Sequence, residues 1–254
     1  MQDKFSLAGR TALVTGGSRG IGYAIAEGLA GAGAALILNG RSPETLEAAA
    51  AQLAAGGATV STAAFDVSDA AQVREGVAHL GAAGTQIDIL VNNAGIQRRA
   101  PLHEFADEDW HALMRTNLDS VYFVSKAVVP QMIERGKGKI INIASVQAEL
   151  ARPTIAPYTA SKGAVRNLTR GMCADWAPLG IQVNAIAPGY FDTPLNKALV
   201  EDPAFDTWLR GRTPAGRWGR LEDLQGIAVL LASSASDYIN GQTIFVDGGM
   251  TVAV

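Results

Sequence analysis

The chain has 254 residues, 48% of them hydrophobic and 18% charged, with a formal net charge of -3. That is long enough for one large α/β domain with a buried core, and the weak acidity excludes the basic footprint of a nucleic-acid binder. A single cysteine, Cys173, excludes an intramolecular disulfide, and the three histidines show no ligand spacing, so no metal is expected. The polar opening decapeptide and the absence of an apolar run of roughly 18–20 residues point to a cytoplasmic protein without a membrane partner.

Short apolar runs alternate with helical patterns along the chain. TALVTG (11–16) reads as a buried strand that enters a glycine turn and then a helix to about Ala32. AALILNG (34–40) is a second strand, followed by an alanine-rich helix with Ser42 as N-cap and Pro43 at its first position. The third and fourth strands are ATVSTAAFDV (58–67) and IDILVNNAG (87–95). A long helical region over about 107–135 precedes the fifth strand, GKIINIAS (138–145). A helix from Tyr158 to Trp176 leads to IQVNAIAPG (181–189), and a helix over 221–232 leads to TIFVDGG (243–249).

Unbroken apolar strands interleaved with helices predict a parallel sheet covered on both faces. The fold class is therefore α/β: a Rossmann-like, doubly wound, three-layer αβα arrangement with seven parallel strands. Nothing resembles a linker, so one domain over 1–254 is expected, with a substrate-proximal helical insertion at about 192–220.

TGGSRGIG (15–22) sits where the first strand becomes the first helix. Gly16, Gly20 and Gly22 permit a tight turn, and the helix N-terminus beyond them offers free N–H groups to a phosphate. The second strand ends at Asn39 rather than at the acid that binds a ribose 2′-hydroxyl in NAD sites. Arg41 follows, and Arg19 lies in the turn. Two guanidiniums without a carboxylate suit a 2′-phosphate, so NADP(H) is expected in preference to NAD(H). Asp66, ending the third strand, is a candidate for the adenine amino group or for a helix cap.

Tyr158 and Lys162 are four residues apart on a helix and share one face. An ammonium beside a phenol favours the phenolate, which predicts a Tyr158 pKa below the usual ~10. Ser145 ends the fifth strand, so its hydroxyl and the Tyr158 phenol can meet at the carboxyl edge of the sheet, where ligands bind in such folds. Asn117 stands inside a helix, where asparagine is a poor former, and is read as holding a water. Together the four residues make a general acid–base set for hydride chemistry with a nicotinamide.

The chain resembles the short-chain dehydrogenase/reductase family over essentially its whole length. The resemblance rests on Thr15-Gly16-x-x-x-Gly20-x-Gly22, Asn92-Asn93-Ala94-Gly95, Asn117, Ser145, Tyr158-x-x-x-Lys162 and Pro188-Gly189. It implies that Tyr158 is the catalytic acid/base, that Ser145 polarises the carbonyl, that Lys162 holds the nicotinamide ribose and lowers the tyrosine pKa, and that Asn117 holds a relay water. The implied cofactor contacts are Gly16, Ser18, Arg19, Gly20 and Ile21, then Arg41, Ser42, Asp66 and Val67. Asn93, Ala94, Gly95, Tyr158, Lys162, Pro188 and Gly189 complete them. A homotetramer is implied, with a dimer as the less common state.

Segments on either side of the site, among them NNAGIQRRAPL, SVQAELARPTIAPYTASKGAV and APGYFDTPLNKALVEDPAF, are similar to family members that act on sugar acids. A sugar acid needs a cation for its carboxylate and polar groups for its hydroxyls. Arg98 and Arg99 stand at the expected pocket mouth, and Arg152 follows Ser145 by seven residues. Gln147 and Glu149 are candidates for hydroxyls. The expected substrate contacts are thus Arg99 or Arg98, with Ser145, Gln147 and Tyr158. A reductase of another ketone, such as a 3-oxoacyl carrier-protein reductase, is the alternative.

Overall fold

The structure, a computed structural model, describes residues 2–193 and 196–253. Its strands are β1 (Thr11–Thr15), β2 (Ala35–Gly40), β3 (Val60–Ala64), β4 (Ile89–Asn92), β5 (Gly138–Ile143), β6 (Ile181–Pro188) and β7 (Thr243–Val246). They form one seven-stranded parallel sheet in the order β3-β2-β1-β4-β5-β6-β7. The winding direction reverses between β1 and β4, so their carboxyl ends border the crevice where doubly wound folds bind ligands.

Successive strand residues face opposite sides, and both sides are covered. Ala12, Val14, Ile89, Val91 and Ile141 pack with α1 (Gly20–Gly31), α2 (Pro43–Ala55) and α9 (Gln225–Ala232). Leu13, Leu90 and Ile140 pack with α3 (Ala70–Ala82), α5 (Ser120–Glu134) and α6 (Ala156–Trp176). Leu13, Ile89 and Leu90 are wholly buried. Burying each such side chain is worth about 1.5–3 kcal/mol.

The expected long helix over 107–135 is divided. α4 (Asp107–Met114) and α5 flank a π-helical turn over Arg115–Asp119. The expected fourth strand stops at Asn92, because Asn93 turns away to bind the neighbouring glycine turn. The expected third strand stops at Ala64, and Phe65 and Val67 leave the ladder to join the core.

Residues 194 and 195 of the expected insertion lie outside the described residues. The rest carries α7 (Lys197–Val200) and α8 (Pro203–Arg212), which close over a third small core of Leu209, Trp218 and Met250. Among the described residues no helix is long and apolar enough to cross a membrane.

Candidate active site

The glycine turn links β1 to α1. Gly20 adopts φ +58°, a conformation L side chains rarely take, and the space beside it is open. A methyl group at Gly22 would collide with Asn93 Nδ2 and the Gly16 carbonyl. Asn93 Nδ2 donates to the Thr15 and Gly16 carbonyls at 3.0 and 3.1 Å. Thr15 Oγ1 accepts from the Asn93 and Ala94 N–H groups at 2.9 and 3.1 Å. The side chain of Asn93 therefore braces the turn against the end of β4.

The first turn of α1 has no side-chain cap and no acidic residue. Its N–H groups and dipole are left for an anion. Arg19 and Arg41 are exposed and form no ion pair among the described residues. Asn39 is 1% exposed and pins β2 to the third strand, donating to the Ala63 and Phe65 carbonyls. Ser42 accepts from the Thr45 N–H as the cap of α2. Asp66 accepts from the Ser68 N–H and hydroxyl at 2.8 and 2.7 Å, while Asp69 caps α3. The Val67 side chain lies in the core, so only its backbone is left for a ligand.

The acid–base residues gather at the carboxyl ends of β4, β5 and β6. Ser145, 7% exposed, stands two residues past β5, and its hydroxyl accepts from the Gln147 N–H at 3.2 Å. Tyr158 lies in the first turn of α6 rather than opening it. Lys162, one turn on, places Nζ 5.7 Å from the Tyr158 ring centroid and donates to the Ile143 carbonyl at 2.7 Å. Pro188 ends β6, and the Gly189 N–H donates to the Val246 carbonyl of β7.

One expectation changes here. Burial raises the Tyr158 pKa above its ordinary value. Hydrogen bonding to Ser145 opposes this, Tyr190 reinforces it and Arg99 opposes it. Lys162 is not among the causes: its ammonium is drawn to Ile143, and burial lowers its own pKa to about 8. Asn117, 1% exposed in the π-helical turn, is already engaged through its amide. Its Oδ1 accepts from the Ile96 N–H at 2.8 Å, and its Nδ2 donates to the Ile96 carbonyl at 3.0 Å and to Ser161 Oγ at 3.3 Å. The Asn117 side chain thus ties the chain after Gly95 to α6.

The arginines separate. Arg98 turns to Asp109, at 3.4 Å, in an exposed ion pair. Arg99, also exposed, is close enough to Arg152, Tyr190 and Tyr158 for their charges to act on it, and its partial burial lowers its pKa. Glu149 pairs with Arg166. Gln147, 6% exposed, donates weakly to the Tyr190 hydroxyl at 3.5 Å, and its Oε1 has no partner among the described residues. Tyr190 is a wall the sequence reading missed. It stacks within 6.3 Å of Phe205, Trp208 and Trp218, and its only sequence signal was its place after Pro188-Gly189.

A family model described as enoyl-(acyl carrier protein) reductase matches residues 16–251. The gluconate 5-dehydrogenase of Gluconobacter oxydans is 57% identical over 252 residues, covering 99% of this chain and 98% of that protein. The 5-keto-D-gluconate 5-reductase of Escherichia coli is 51% identical over the full length of both chains.

The chain belongs to the short-chain dehydrogenase/reductase family.

A crystal structure of a gluconate 5-dehydrogenase from Burkholderia cenocepacia, in complex with NADP and tartrate, superposes with a TM-score of 0.98. It is 60% identical and covers 100% of this chain and 99% of that one. The glycine turn fits the dinucleotide of a short-chain dehydrogenase/reductase, because the cradle at Gly20 is open and the N-terminus of α1 is uncapped. In the same family frame, Ser145, Tyr158 and Lys162 occupy the mouth of the crevice beside that cradle.

Proposed function

We propose that the chain is an NADP(H)-dependent oxidoreductase that interconverts D-gluconate and 5-dehydro-D-gluconate. The reading is supported by the names of the full-length relatives and carried by one observation. Arg99, near the Tyr158 phenol, and Arg152, near Arg99 and Tyr190, are neither of them ion-paired among the described residues. A cationic mouth next to a phenol acid suits a keto sugar acid better than the thioester of an acyl carrier.

NADP(H), when bound, supplies or accepts the hydride. Arg19 and Arg41 hold its 2′-phosphate, the N-terminus of α1 its pyrophosphate, and Lys162 its nicotinamide ribose. Tyr158 is protonated at neutral pH, as a phenol with the ordinary pKa of ~10 already is, and burial favours that form further. In reduction it gives that proton to the oxygen on C5, and in oxidation it takes the proton back. The Ser145 hydroxyl donates to the same oxygen as negative charge develops there. Asn117 keeps the Ile96 segment against α6, and Arg99 pairs with the substrate carboxylate. A cytoplasmic homotetramer goes with this reading, and light scattering on the purified protein tests its assembly.

Turnover of 5-keto-D-gluconate, 2-keto-D-gluconate and an acetoacetyl thioester with NADPH and with NADH tests the assignment. NADPH should be consumed with the 5-keto acid; faster turnover of the thioester would replace the sugar acid as substrate.

A further inference from the structure

Thr154 is the one non-glycine residue with positive φ among the described residues, at 71°. A β-branched side chain is strained there, and such strain persists only where its surroundings enforce it. The enforcing contact is visible: the Ala100 N–H donates to the Thr154 carbonyl at 3.2 Å. That bond joins the residue after Arg99 to the second residue after Arg152.

Arg152 is half-buried, and its Nε has no partner among the described residues. Its guanidinium carbon lies 5.4 Å from the centroid of the Phe205 ring in α8. Phe205 packs 5.5 Å from Tyr190, whose hydroxyl meets Gln147. The Ala100–Thr154 bond sets the Arg99 and Arg152 segments side by side, neither arginine has an acidic partner among the described residues, and an anion bound between them would offset both charges.

We propose that Arg152 is a specificity-determining residue that closes a two-arginine clamp with Arg99 on the substrate carboxylate, and that Thr154 is the positioning residue that docks the two arginine loops on each other. The inference rests on the sugar-acid reading and extends it. Arg99 alone would bind a carboxylate from one side. With Arg152 opposite, stacked on α8, the acid also engages the helical segment over the site. The clamp selects acids over neutral ketoses of the same length.

Kinetics of Arg152→Gln, Arg152→Lys, Thr154→Gly and Thr154→Asn with 5-keto-D-gluconate and with neutral 5-keto-D-fructose test both roles, alongside melting temperatures. Arg152→Gln should raise the KM for the acid roughly ten- to a hundred-fold, the loss of a charge-assisted contact, and leave the neutral ketone nearly unchanged. Arg152→Lys should recover part of the loss. Thr154→Gly, which keeps the carbonyl bonded to Ala100 and adopts the left-handed region without strain, should raise the melting temperature and keep the KM for the acid low. Thr154→Asn, which tolerates the left-handed region, should keep the KM low.

An equal loss on acid and neutral substrates would make Arg152 merely structural. A raised acid KM in Thr154→Gly or Thr154→Asn, both of which keep the left-handed carbonyl, would remove the role of Thr154. If the wild-type protein reduces no keto acid, the proposed reaction fails, and calorimetry with D-gluconate and D-sorbitol decides the clamp separately. Gluconate binding that Arg152→Gln abolishes would uphold the clamp; no wild-type preference for gluconate would overturn it.

Discussion

Lys162 Nζ donates to the Ile143 carbonyl at 2.7 Å, fastening the first turns of α6 to the end of β5. The bond sets how far Tyr158, one turn before Lys162, stands from Ser145, two residues past Ile143. Lys162 is thereby a brace as well as a charge, and burial lowers its pKa from 10.5 to about 8.

A pH dependence follows. Ribose hydroxyls favour the ammonium form, so NADPH affinity should fall as pH rises through about 8. Titrating the NADPH dissociation constant across that range should show the inflection in the wild-type protein and none in Lys162→Met. Stability runs the other way. Between about 8 and 10.5 the unfolded lysine keeps a proton that the folded one has lost. Wild-type stability relative to Lys162→Met should therefore rise with pH across that window, as denaturant midpoints would show.

Tyr158→Phe should lower turnover about 10²–10⁴-fold, the usual worth of a positioned acid, and leave NADPH binding intact by fluorescence titration. Because burial raises the Tyr158 pKa, the proton donor for reduction is present throughout the neutral range. The base for oxidation is scarce there. Reduction rates should be flat near neutrality and oxidation rates should climb into alkaline pH; the reverse pattern would assign the proton to another group.

Arg41→Ala should raise the KM for NADPH far more than that for NADH. The side chain is exposed and has no ion pair among the described residues, so its loss should hardly move the melting temperature. Comparable effects on both cofactors would exclude the 2′-phosphate as its partner.

Asn93→Ala should lower stability and cofactor affinity together. It removes the donor to two carbonyls of the glycine turn. Orphaning such partly buried acceptors costs about 1–3 kcal/mol. A weaker KM for NADPH without loss of melting temperature would mean that Asn93 touches the cofactor and does not act as a strut.

The sheet was legible because strands buried on both faces read as unbroken apolar runs, and the glycine turn because Gly20 and Gly22 answer to backbone constraints. Ser145, Tyr158 and Lys162 were legible because strand ends and helical spacing place them on one edge. What the sequence did not show were the partners each polar side chain takes. The Asn117 amide meets the Ile96 backbone, Arg98 meets Asp109 and Glu149 meets Arg166. The Tyr158 pKa depended on burial, which spacing does not reveal, and Tyr190 became a wall only once α8 folded over it.

The most direct measurement is isotopic. Reduction of 5-keto-D-gluconate with NADPH deuterated at the transferable position, followed by NMR of the product, reports cofactor, carbon and face at once. D-gluconate carrying deuterium at C5 is the expected product. L-idonate, deuterium at any other carbon, or recovery of unreacted keto acid would contradict the proposed reaction.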